Sequence, residues 1–88
     1  MALSQPQPTS HIVRNPLVLG GEPTVASTRV PVRSIVIAWQ LHRDLNRVCR
    51  AYPMLSRADV EEALNFYSQH RDEIDRYIAE NEDDDPEQ

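Results

Sequence analysis

The chain has no lysine, one cysteine and two glycines among its 88 residues. All nine of its cationic side chains are therefore arginines, whose planar forks suit carboxylates and phosphates; the missing lysine itself reads as a habit of the source genome. With only Cys49, an internal disulfide or a multi-cysteine zinc site is excluded. No run approaches the roughly 18 apolar residues of a membrane span. The opening "MALSQPQPTS" lacks the basic and apolar regions of a secretory signal, and its proline and glutamine content predicts a disordered lead-in over 1–10. The cytoplasm is the expected compartment. A chain this short makes one small domain with a marginal core, which favours association with a partner or a second copy.

The net charge of −5 hides a division. From His11 to Ala58 there are seven arginines and two acids, a balance of +5. From Asp59 to Gln88 there are two arginines and twelve acids, a balance of −10. The total argues against a general nucleic-acid binder, and the division argues for two different contact surfaces.

Two β-favouring runs, "HIVRNPLVL" and "TVASTRVPV", flank "GGEP". Pro16, Pro23 and Pro31 exclude central-strand positions, so a short hairpin or arm over 11–32 is expected, turning at Gly20-Gly21-Glu22-Pro23. The period then becomes helical. Ile35, Ala38, Trp39 and His42 form one face, with Ser34 as expected cap. A second helix has Asp44 as N-cap, an inner face of Leu45, Val48, Cys49 and Tyr52, and Pro53 as its stop. Ser56 and Asp59 predict a capping-box start for a third helix with Val60, Ala63, Leu64 and Tyr67 inside. "RDEIDRYIAENE" is a fourth segment at helical spacing, through Ile74, Tyr77 and Ile78, that dissolves into "EDDDPEQ"; the domain is bounded at 79, with an acidic disordered tail over 80–88. The expected fold is α+β, mostly α: a short N-terminal β-hairpin or arm followed by a three- to four-helix, helix-turn-helix-like unit over 33–79.

Gly20-Gly21 fits neither phosphate-loop spacing, and no helix opens after it, so a turn with positive φ is the favoured reading. Cys49 lies on an inner face and reads as a small core residue. His11, His42 and His70 are scattered, with no metal-ligand spacing on one helix. No set of nucleophile, base and orienting group emerges, so neither enzyme activity nor a cofactor is expected. Arg33, Arg43, Arg47, Arg50 and Arg57 are candidates for phosphate contact, against the plainer reading of solvated helix surface. Asp59, Glu61 and Glu62 near the start of the third helix oppose its entry into a DNA groove. Arg29 is read as a pin that ties the arm to the helices through an ion pair or backbone hydrogen bonds. The run Glu80, Glu82, Asp83, Asp84 and Asp85 is either a solubilising tail or a polyanion mimic that occupies a basic groove on a partner.

"NPLVLGGEPTVASTRVPVRSIV" and "AYPMLSRADVEEALNFY" together resemble the two motifs of the domain-of-unknown-function 433 family, in order and spacing. Gly20, Gly21, Pro23, Thr28, Arg29, Pro31, Tyr52 and Pro53 carry the match. Ser27 stands where the family usually has glycine, and "QLHRDLN" lacks the glycine usual between the first two helices. The resemblance implies an arm followed by a helix-turn-helix-like unit. It also implies an antitoxin role beside a PIN-like nuclease toxin. On that basis the basic half is expected to form a dimer and contact operator DNA, and the acidic half to cover the toxin. The rival expectations are a stand-alone DNA-binding regulator and an accessory interaction module.

Overall fold

The computed structural model describes residues 12–82. Strands β1 (Ile12–Val13) and β2 (Thr24–Val25) pair antiparallel, Ile12 opposite Val25 and Val13 opposite Thr24. Four helices follow: α1 (Val32–His42), α2 (Leu45–Ala51), α3 (Arg57–Gln69) and α4 (Arg71–Glu82). The molecule is mostly α with a small β part, as the periodicities predict. No helix among the described residues is long and apolar enough to cross a membrane.

The core is built from the faces that the helical spacing picked out. Ile35, Val48, Val60, Ala63 and Ile74 are buried, with Ala38, Trp39, Leu45, Cys49, Tyr52, Leu64, Tyr67, Tyr77 and Ile78 packed around them. Val32, Val36, Val25 and Leu55 complete it. Helix α1 packs on α2, α3 and α4, and α3 also touches α2 and α4. The central pair α1 and α3 thus carries α2 and α4, which do not pack substantially on each other.

Several local expectations change. Helix α1 opens at Val32 with Pro31 in the cap position and no side-chain cap, so Ser34 lies inside the first turn. The reason is Pro31, whose extended backbone sets the helix entry, while Pro23 O accepts from Val32 N at 3.0 Å. The run after Pro23 is not one strand. It reverses at Ala26–Arg29, where Val25 N donates to Val30 O at 2.9 Å and Thr24 bridges Pro31. Ser27, the residue in the usual glycine place, takes φ 67° there. Between α1 and α2, Arg43 adopts the left-handed conformation (φ 52°) that glycine would ordinarily supply. Helix α4 runs through Glu82, so residues 80–82 are helical rather than tail. Residues 1–11 and 83–88, which hold the lead-in, His11 and Asp83–Asp85, lie outside the described residues.

The end signals hold where they are chemical. Asp44 Oδ1 accepts from Asn46 N at 2.9 Å. Ser56 Oγ accepts from Asp59 N at 3.0 Å, and Asp59 Oδ2 accepts from Ser56 N at 3.1 Å, the reciprocal capping box.

Candidate functional site

Three features are places where the chain could meet a partner: the loop between β1 and β2, the arginines around α2, and the acidic helix α4.

The loop begins at Arg14 and ends at Glu22, and an ion pair holds each end. Arg14 makes a two-pronged pair with Glu73 of α4, one prong at 3.0 Å. Its guanidinium also lies 5.5 Å from the centre of the Phe66 ring, which stacks on His70 at 4.0 Å. Hydrogen bonding to Arg14 holds the Glu73 carboxyl below the usual carboxylate range, and the same contact raises Arg14. At the other end Glu22 and Arg33 approach to 2.6 Å. Their side chains are only 6 % and 19 % exposed. The Nε–H does not point at the carboxylate oxygen, so this contact is Coulombic rather than a well-aligned hydrogen bond. Burial pushes the Glu22 carboxyl up; Arg33 opposes that shift, and the charge of Glu80 adds to it. Within the loop a short 3-10 turn spans Leu19–Gly21, with Gly20 at φ 65° and Gly21 at φ 91°. The glycine pair is thus a turn with the positive φ its composition predicts.

The motif residues divide the structural work. Thr28 Oγ1 donates to Val25 O at 2.8 Å and accepts from Val30 N at 3.0 Å, which sets the second reversal. Pro23 and Pro31 are buried. Tyr52 O accepts from Leu55 N at 2.9 Å, and exposed Pro53 follows the end of α2. Arg29 does not pin the arm: it is exposed, and its guanidinium has no partner among the described residues. The pinning falls to Arg33 and Arg14, because their side chains reach a carboxylate at each loop end, while the turn at Ala26–Arg29 carries Arg29 outward.

The five arginines offered for phosphate contact are not equivalent. Arg33 is withdrawn into its pair with Glu22. Arg43 and Arg50 are exposed, with no side-chain partner among the described residues. Arg47 lies 3.9 Å from Asp44, and both are well exposed. Arg57 lies 3.3 Å from Glu61 and donates to Asn46 Oδ1 at 3.0 Å, which joins the starts of α2 and α3. Arg43, Arg47, Arg50 and Arg57 thus occupy α2, its lead-in and the first residue of α3. Of the acids at the start of α3, Asp59 serves the cap and Glu61 pairs with Arg57.

Helix α4 carries Asp72, Glu73, Asp75, Glu80 and Glu82 against Arg71 and Arg76. Asp75 accepts from Tyr67 Oη at 2.8 Å, a bond that raises the Tyr67 phenol. Glu80 is exposed and lies 3.9 Å from Arg76. The ion pairs at 14–73 and 22–33 had no signal in the sequence, because each joins residues whose spacing matches no local period. Cys49 packs against the core as a free thiol. His42 ends α1, and His70 follows α3 with its Nδ1 3.1 Å from Phe66 O.

A two-strand arm leading into four short helices, with an arginine-bearing α2 and an acidic α4, defines a small α+β module. Residues 12–67 match the family described as "Protein of unknown function (DUF433)". The chain belongs to that family. It is also similar to a solved DUF433 member protein from Anabaena variabilis, with 32% identity and a TM-score of 0.73, covering 81% of this chain and 70% of that one. No curated protein matches the chain.

Proposed function

We propose that the chain is a non-enzymatic, antitoxin-like protein of the cytoplasm. It covers the basic groove of a PIN-like nuclease and, as a dimer, contacts operator DNA. One observation carries this reading: an exposed arginine cluster and the most acidic helix lie on separate elements. Arg43, Arg47 and Arg50 belong to α2 and its lead-in, Asp72, Glu73, Asp75, Glu80 and Glu82 belong to α4, and the two helices do not pack substantially on one another. One module therefore offers a cationic surface for phosphates and an anionic surface for a basic protein.

The test is co-expression with a PIN-like nuclease encoded beside it, read as growth rescue and inhibition of RNA cleavage. Replacing Arg43, Arg47 and Arg50 by Gln is expected to weaken operator binding and flatten its salt dependence while nuclease inhibition persists. A cut after Ile78 would remove the last turn of α4 as well as the tail, so the cut belongs after Glu82. Unchanged inhibition after that cut would restrict the contact to α4 and remove Asp83–Asp85 from the surface. Salt-sensitive operator binding with no nuclease inhibited would replace this reading by the stand-alone DNA-binding regulator. Absence of both would leave the accessory interaction module.

A further inference from the structure

Leu17 is 87% exposed, yet it stands on a loop with little freedom. Leu17 N donates to Asn15 Oδ1 at 2.9 Å and Val18 N to Asn15 O at 2.8 Å, so Asn15 closes the turn that presents the leucine. Gly21 N and Glu22 N return to Val18 O and Leu19 O. Leu19 sits at φ 52°, a strained conformation for a leucine. The ion pairs of Arg14 and Glu22 fix the two ends. An apolar side chain held outward by such a frame loses little freedom on docking, which is the property of an interface anchor.

The surface beside the loop says what fits it. Its first end touches Glu73, near the start of α4, and its second end pairs with Arg33 of α1, the helix that packs on α4. The loop is therefore anchored on α4 at its first end. That helix exposes Asp72, Asp75 and Glu80 beside Arg71 and Arg76; Arg76 lies 3.9 Å from Glu80, Tyr67 donates to Asp75, and Asp72 has no partner among the described residues. Helix α4 carries five acids against two arginines, so two copies meeting through it would set net negative charge against net negative charge. The complement is a basic protein surface that contains an apolar pocket.

We propose that the clamped loop and the carboxylate face of α4 form one docking surface for a basic protein, with Leu17 entering an apolar pocket on it. This rests on the antitoxin-like reading for the partner's identity as a nuclease, but not for its chemistry. The test uses the full chain with the photo-crosslinker p-benzoylphenylalanine at Leu17, expressed in the cells that carry the gene, with exposed Ala58 of α3 as control position. The expected result is a crosslink from position 17, absent from position 58, to a protein with an isoelectric point above about 8. Affinity of the purified wild-type chain for that protein is then compared with Leu17→Ser and with Asp72→Asn/Glu80→Gln. Leu17→Ser is expected to weaken binding at least about tenfold with an unchanged melting temperature. The carboxylate variant is expected to weaken binding more at low salt than at high salt. A crosslink to a second copy or to an acidic protein, no crosslink at all, or unchanged affinity of Leu17→Ser would overturn the proposal. If the crosslinked basic protein is not a nuclease, the docking surface stands and the antitoxin-like reading falls. If a nuclease is bound equally well by Leu17→Ser, the reverse holds.

Discussion

Replacing Arg33 by Met tests the buried pair that closes the loop. Methionine keeps much of the apolar stem and removes the charge, leaving Glu22 as an unpaired carboxylate with a 6 % exposed side chain. Breaking a buried ion pair by removing one partner costs about 3–5 kcal/mol. Arg33 keeps 19 % of its side-chain surface, so water can partly replace it, and the lower end, about 3 kcal/mol, is expected. An 88-residue chain has about 4–13 kcal/mol of total stability. At about 4–8 °C per kcal/mol for a domain of this size, the melting temperature should fall by about 12–24 °C. The double variant Glu22→Leu/Arg33→Met should recover most of the loss, since an apolar replacement of the whole pair is often neutral. The pH dependence has a definite sign. Burial raises the folded pKa of Glu22 above 4.5, and losing Arg33 raises it further. A raised carboxyl pKa means that proton uptake favours the folded state, so the variant's deficit should shrink as pH falls through the folded pKa. Urea unfolding followed by circular dichroism from pH 7 to pH 4.5 measures both effects, with exposed Arg50→Met as control. A loss below about 1 kcal/mol, or a deficit that does not shrink on acidification, would refute the buried-pair argument.

Three further outcomes are expected. Ser56→Ala removes one half of the capping box on α3 and should cost about 1 kcal/mol, read as a lower urea midpoint. Arg43→Gly relieves a left-handed arginine at the end of α1 and should raise stability by about 0.5–1 kcal/mol by the same assay. Arg14→Ala removes the partner that depresses the Glu73 pKa, so wild type should exceed the variant above pH 4.5 and lose that advantage as pH falls through the lowered folded pKa. Its cation has a 45 % exposed side chain, so the neutral-pH difference should stay at or below about 1 kcal/mol.

The elements were legible because their signals are local. Apolar spacing marked the buried faces of α1 to α4, and Asp44, Ser56 and Asp59 marked helix starts through bonds that close within three residues. Gly20 and Gly21 marked a turn because positive φ is a property of the residue itself. Misreadings arose where a neighbour in space outranked one in sequence. Ser34 lost the cap position because Pro31 and the Pro23 carbonyl set the helix entry. Arg29 lost its pinning role to Arg33, four residues on, because only Arg33 faces Glu22. The helical run Arg71–Glu82 was legible, and only the tail boundary at 79 fell three residues short, because an acidic composition reads as solvated coil.

By itself, the sequence determined the class of fold, the family and the separation of charge, all of which follow from composition, period and motif order. Tertiary structure alone decided which arginines are spent internally and which remain outside. It also decided that the β1–β2 loop is clamped by Arg14–Glu73 and Glu22–Arg33 and holds Leu17 outward. Those contacts join Arg14 to Glu73 across 59 positions and Glu22 to Arg33 across an intervening reversal, and only packing of the arm on the helices selects such partners.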